Sequence, residues 1–275
     1  MIIGLDHVVI LVADLARATH LYQALGFQVE RGGVHPAWGT ENALIALADG
    51  TYLELLAPRQ QDQAVRSQLW QRGDGHARTP GEFGDYAMRS DDLLRDVDRL
   101  KAAAVDFDGP QAGSRERPDG QLIRWRSAFL ELGTLPFLIQ DDGPRELRIS
   151  PPRSGVGADA HLSEVTIAVD DLAETVNAYK ALLCIDASTD GGFPDTVTVR
   201  FPTPWGTLRV VQPGRVDPVR GQLERVGPGV LSVTLAVRGW EELTRTLAPI
   251  VTAHGGKTID IGAATGGPQV LLRPR

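Results

Sequence analysis

The sequence predicts an α+β protein built from paired β-α-β-β-β modules, and three observations carry that prediction. Leu5 to Val12 is a nearly unbroken apolar, β-branched run that passes directly into apolar residues at helical spacing, Leu15 to Leu25. Strand-like runs separated by Gly and Asp turn signals follow. The same order then returns: Asp14, Leu15, Tyr22, Ala24 and Leu25 recur as Asp171, Leu172, Tyr179, Ala181 and Leu182 at one constant offset of 157 residues, and Gly50-Thr51 recurs as Gly206-Thr207 at 156. Such a register marks repeated units that must pack on each other because none buries its apolar face alone.

The elements follow in order. In the first module (1–58), Leu5 to Val12 reads as a strand, Asp14 as a helix N-cap, and Gly26 as the stop of the helix that begins at Leu15. Strands are expected near Gln28 to Gly32, Ala43 to Ala48 and Tyr52 to Leu56. A diverged second module (83–140) has a strand at Tyr86 to Arg89, caps at Asp91 and Asp92, a helix through Ala103, and strands near Gln121 to Leu130 and Pro136 to Gln140. Together they form an N-terminal domain, 1–140. Residues 141–160, whose Pro-, Gly- and Ser-rich stretch runs from Asp141 to Gly157, read as a linker. The C-terminal domain, 161–275, holds a third module (161–213) and a fourth (229–274). The fourth keeps a strand at Leu231 to Val237, a helix from Trp240 broken by Pro249, and a strand near Val270 to Leu272, and it looks truncated.

The 275 residues suffice for two cores. A net charge of -7 and a pI near 5.4 disfavour nucleic acid and anionic membranes as partners, which leaves small molecules. The single cysteine, Cys184, excludes an intrachain disulfide and a CxxC motif, and a cytoplasmic location is the simplest expectation. The apolar run Ile2 to Ala13 lacks a basic n-region and contains Asp6 and His7, so it reads as a buried strand and not a leader. There is no GxGxxG after a strand, no P-loop, no GxSxG and no HExxH.

His7 opens the first strand and Glu54 sits in the last strand of the first module, and both are residue types that hold divalent metals. They read either as ligands or as buried polar groups satisfied by hydrogen bonds. His35 and Trp38, between strands, line a pocket mouth or belong to a turn held by Pro36 and Gly39. Arg124 and Trp125 point to opposite faces of one strand, so only one reaches a cavity. Arg115, Arg117 and Arg124 either bind a carboxylate or form a solvated edge.

Asp6-His7-Val8-Val9, Asp14-Leu15, Tyr22, Leu25-Gly26-Phe27, His35-Pro36-x-Trp38-Gly39-Thr40-x-Asn42-Ala43-Leu44 and Tyr52-Leu53-Glu54, with Arg117-Pro118-Asp119-Gly120 and Arg124-Trp125 further on, resemble the vicinal oxygen chelate superfamily and its glyoxalase-like domain proteins. The likeness covers 1–58 and 83–140, and the C-terminal half in outline. It implies that paired modules form half-open mixed β-barrels with helices outside, and that metal ligands come from the first and last strands of each module. The implied positions are His7, Glu54, Asp85 and, if Phe137 and Ile139 face the helix, Gln140. A divalent ion (Mn, Fe, Ni, Zn or Mg) is the implied cofactor. Asp85, beside Arg89 on its strand face, is alternatively a salt-bridge partner. In the C-terminal half the matching positions read Glu164, Val210 and Ser232, which leaves that half without a ligand set. The implied function is a metal-dependent lyase, isomerase or ring-cleaving dioxygenase on a small oxygenated substrate, with Glu54 or Asp85 as proton acceptor and with Trp125, Arg124, Arg117, His35 and Trp38 as substrate contacts. The alternative is a metal-free binding or resistance protein. A homodimer joined through open strand edges is expected.

Overall fold

The computed structural model describes residues 1–59, 78–190, 195–215, 217–249, 253–254 and 258–275. Eight strands of the N-terminal half form a closed barrel in the order β1-β4-β3-β2-β6-β7-β8-β5: β1 Ile2–Leu11, β2 Glu30–His35, β3 Thr40–Ala46, β4 Tyr52–Pro58, β5 Phe83–Ser90, β6 Phe107–Glu116, β7 Leu122–Leu130 and β8 Phe137–Asp141. Helices α1 (Leu15–Ala24) and α2 (Leu93–Ala102) each follow the first strand of a module, and their N-caps are the expected ones: the Asp14 carboxylate accepts from the Arg17 N–H, and Asp92 accepts from Arg95. Tyr22 and Leu100 place their helices on Val8, Ile10, Tyr86 and Met88, the outward-facing residues of β1 and β5.

Closure of the barrel rests on one bridge, Val34 to Glu116, between β2 and β6. The approach is so close that a Cβ on Gly33, at φ +143°, would stand 1.9 Å from the Glu116 carbonyl oxygen, so only glycine fits. Strand β6 was not foreseen. Its sequence, with two glycines and a proline, reads as a loop, and pairing with β7 overrides that local preference.

Two short helices, α3 (Arg145–Arg148) and α4 (Val156–Asp159), lie inside the stretch read as a linker. The second sheet is an open array, β10-β11-β12-β9-β13-β16-β15-β14, made of β9 Ala160–Ala168, β10 Ser188–Asp190, β11 Val197–Thr203, β12 Gly206–Gln212, β13 Gly229–Val237, β14 Ala253–His254, β15 Thr258–Asp260 and β16 Gln269–Pro274. Its helices are α5 (Leu172–Leu183), α6 (Pro218–Val226), α7 (Trp240–Leu247) and α8 (Gly262–Thr265). The fourth module is therefore not truncated: β14 and β15 stand between α7 and β16. One continuous apolar core runs through both halves, joined where the Tyr86 and Tyr179 hydroxyls meet. Among the described residues no helix is long and apolar enough to cross a membrane.

Candidate active site in the N-terminal barrel

Within β1, alternation sends Val8 and Ile10 to the helices and His7 and Val9 into the barrel. The parallel register of β1 on β4 places Tyr52 beside His7 and Glu54 beside Val9, so both join the inner face. The His7 ring stacks on Tyr52 with centroids 4.5 Å apart and meets Phe137 edge-on at 5.4 Å. Its Nε2 lies 3.3 Å from Glu54 Oε2, and its Nδ1 lies 2.7 Å from Asp6 Oδ1.

Asp6 is wholly buried at 0 % exposure. Burial alone would raise its pKa, but the Arg148 guanidinium and the His7 ring hold it well below the usual carboxylate range. Arg148 grips it as a fork, Nη1 to Oδ1 at 2.7 Å and Nη2 to Oδ2 at 2.9 Å, and Arg145 adds a second cation. Because Asp6 is ionised, it accepts the hydrogen bond from Nδ1–H of His7. The other ring nitrogen, Nε2, faces Glu54 and the pocket.

Glu54 Oε1 accepts from Asn42 Nδ2 at 2.6 Å, and Asn42 Oδ1 accepts from Arg115 Nη1 at 3.4 Å. Burial opposes the charge on Glu54, yet His7, His35, Asn42 and Arg115 together lower its pKa. The line Asp6–His7–Glu54–Asn42–Arg115 thus crosses the barrel. Gly32 makes room for it, since a Cβ there would lie 2.1 Å from Asn42 Oδ1 and 2.6 Å from Arg115 Nη1. Apolar rings form the other walls: Trp38, Trp125, Phe129 and Phe137, the last two stacked at 5.1 Å. The enclosed space is about 30 Å³, room for roughly two waters. Beside it opens a wider funnel of about 720 Å³, rimmed by Arg31, Arg59 and Arg117, and His35 borders both spaces.

The structure brings His7, Glu54, His35, Trp38 and Trp125 together around this pocket. Arg117 stands at the funnel rim, paired with Asp119 at 3.3 Å, while Arg124 is exposed on the far face from Trp125. Asp85 is buried outside the pocket lining, and its Oδ1 accepts from the Tyr86 N–H at 2.8 Å. Gln140 does not enter the barrel: its amide oxygen accepts from Leu93 N–H at 2.9 Å and its amide nitrogen donates to the Asp91 carbonyl at 3.0 Å, closing the first turn of α2. The facing expectation is corrected by register. The β1–β5 pairs His7↔Ala87 and Val9↔Asp85 relate the modules by a local two-fold that exchanges His7 with Asp85 and Val9 with Ala87. Val9 pairs Glu54 and Ala87 pairs Phe137, so the position matching Glu54 is Phe137. Phe137 and Ile139 face inward because this barrel interior is itself apolar, which erases the alternation the sequence argument relied on. By the same test Arg209, not Val210, matches Glu54 in the C-terminal half, since Thr166 pairs Arg209.

Sequence reasoning missed Asp6, Asn42, Phe129 and above all Arg148, which the linker reading hid. The signal available for Arg148 was its spacing from Arg145, two basic residues one helical turn apart in a Pro- and Gly-rich stretch.

The four superfamily positions therefore read His7, Glu54, Asp85 and Phe137. Two of them turn donors into the pocket, one is an aromatic ring, and Arg115 and Arg148 add positive charge to the lining. Among the described residues no three His, Cys, Asp or Glu side chains converge as a metal-holding group. Catalytic ions need about three protein ligands, and the donors of the described residues do not supply them.

Comparison with known proteins agrees with the fold. The profile of the glyoxalase-like domain family matches residues 5–183. No curated protein matches. A hypothetical protein from Staphylococcus aureus superposes with a TM-score of 0.68 at 14% identity, over 99% of each chain. A mutant of 4-hydroxymandelate synthase from Streptomyces coelicolor gives 0.64 at 14% identity, over 100% of this chain and 94% of that one. A xylose isomerase-like TIM barrel/4-hydroxyphenylpyruvate dioxygenase fusion protein gives 0.59 at 13% identity, with this chain covering 49% of its length. At such identities the likeness concerns the fold, which is that of the vicinal oxygen chelate superfamily, and by the profile match the chain belongs to the glyoxalase-like domain family.

Proposed function

We propose that this chain is a lyase- or isomerase-type enzyme that moves a proton on a small, flat, oxygenated molecule held in the N-terminal barrel. The observation that carries it is the Asp6–His7–Glu54 line, with 2.7 Å on one side of the imidazole and 3.3 Å on the other, at the polar end of an aromatic pocket. Asp6 fixes the tautomer. His7 Nε2 takes a proton from the bound molecule, and the imidazolium so formed lies between two carboxylates that stabilise it, a positioned base of the kind that contributes about 10²–10⁴-fold. The aromatic walls exclude water from the exchange. A metal-dependent reaction, ring-cleaving dioxygenation included, was the expectation from family resemblance. The donors of the described residues do not fit an ion.

A second reading, a binding module without turnover, is favoured by Phe137 at a ligand position and by the narrowness of the pocket. Hydrogen exchange in D₂O, followed by NMR on a panel of small hydroxy- and keto-compounds, separates the two. The enzyme reading expects exchange that falls roughly 10²-fold or more in His7→Gln and Glu54→Gln. Compounds that bind without exchanging in the wild type would establish the binding module. Metal analysis of the same preparation guards the assignment: about one divalent ion per chain, lost in His7→Ala, would return the site to metal chemistry.

A further inference from the structure

We infer that the pocket's ligand is a flat monocarboxylic acid whose carboxylate docks on Arg115. The inference rests on the reading of this pocket as the ligand site and extends it to a chemical class. Arg115 is 3 % exposed and lines the pocket, yet no carboxylate of the described residues forms an ion pair with it. Its hydrogen-bond partners among the described residues are neutral: Nη1 reaches Asn42 Oδ1 at 3.4 Å, and Nη2 donates to the Arg148 carbonyl oxygen at 2.7 Å. Its Nε is buried with no hydrogen-bond partner among the described residues. A buried guanidinium left in this state is costly, and such groups normally hold a carboxylate in a two-pronged contact.

Arg148, the other pocket cation, is different. Asp6 and Asp141 occupy its fork from both sides, with Nη2 to Asp141 Oδ2 at 2.9 Å. Its charge is consumed within the protein, whereas that of Arg115 is not. Glu54 is the one carboxylate in the pocket lining, and Asn42 holds it to the Arg115 side through a relay and not a direct contact. A ligand acid therefore points its carboxylate at Arg115 and turns its hydroxyl or carbonyl edge to Glu54 and His7, because the reverse pose sets two carboxylates together.

Shape agrees. The pocket is small, about 30 Å³, and walled by the Trp38, Trp125, Phe129 and Phe137 rings, so it admits only a small, flat head. The funnel outside is lined by Arg31, Arg59, Arg117 and Glu116, with Arg31 paired to Glu41 at 3.5 Å and Arg117 to Asp119 at 3.3 Å.

The test uses two isosteric pairs, benzoate with benzamide and pyruvate with pyruvamide, titrated calorimetrically into the whole protein. An acid is expected to bind roughly tenfold or more tightly than its amide, as a charge-assisted contact implies. Arg115→Gln should erase that preference, Arg115→Lys should keep part of it, and Glu54→Gln should strengthen acid binding by removing the like charge. The acid–amide comparison in the wild type and the Glu54→Gln result need no Arg115 variant, so misfolding of the latter leaves the test standing. Equal binding of acid and amide, or an acid preference untouched in folded Arg115→Gln, overturns the inference while the pocket remains the ligand site. Failure of all four probes to bind at millimolar concentration overturns both. An acid preference without proton exchange on any compound keeps this inference and removes the enzyme reading.

Discussion

The two halves repeat one backbone and fill its inner face with opposite chemistry. Through matching strand pairs, His7, Glu54, Asp85 and Phe137 of the barrel correspond to Glu164, Arg209, Ser232 and Leu271 of the second sheet. In the barrel an imidazole and a carboxylate face each other at 3.3 Å beneath aromatic rings. In the second sheet the same two places hold a carboxylate and a guanidinium 3.9 Å apart. That ion pair neutralises itself, while Asp6, Arg148 and Asn42 hold the His7–Glu54 pair at the pocket wall. The barrel is closed by the Val34–Glu116 bridge and the second sheet stays open, so water is kept from one inner face more than from the other. A repeat that keeps its register can thus divide labour by substitutions at only a few inward positions.

The sharpest way to break the contrast is to remove the clamp the second half lacks. Arg148→Met leaves the buried Asp6 and the half-buried Asp141 without their shared cation, and such a change typically costs about 3–5 kcal/mol. Denaturant unfolding should show this loss. A change below about 1 kcal/mol would mean that Arg145 suffices to hold Asp6.

Next is the acid response. Burial pushes the His35 pKa down from its ordinary 6.5 to about 4. The ring is neutral in the folded protein and takes up its proton more readily unfolded. The stability it permits is complete above pH 6.5, falls as the pH drops from 6.5 to about 4, and is then fully lost. The gap corresponds to about 3 kcal/mol. His35→Gln, which keeps a partner for the Thr40 hydroxyl now 2.9 Å from Nδ1, should flatten this part of the profile, read as the melting temperature against pH. An unchanged slope would assign the acid response elsewhere.

The smallest effect tests the quiet half. Glu164→Gln removes a partly exposed ion pair and should change stability by less than about 1 kcal/mol. Proton exchange and acid binding should be unaltered. A loss comparable with that of Glu54→Gln would show that the second sheet takes part in the reaction.

Much of this was legible without coordinates. The repeat, the capping aspartates, the alternating strands and the inward pair His7 and Glu54 follow from periods and spacings that local chain geometry imposes; the same alternation says that only one of Arg124 and Trp125 enters the cavity, and the structure shows it to be Trp125. What escaped depended on long-range packing. Whether Phe137 or Gln140 enters the cavity turns on the β5–β8 register, and an apolar barrel interior gives both faces of β8 the same composition. Strand β6 forms only because β7 and β2 receive it. Arg148 reaches Asp6 across 142 positions of chain, from a stretch whose composition says only that it is not a regular element. The sequence by itself determined the modules and which side chains each strand turns inward when its two faces differ. Only the tertiary structure decided which of them meet, because closing the barrel, seating α3 against Asp6 and leaving Arg115 without a carboxylate partner among the described residues are properties of several segments packed at once.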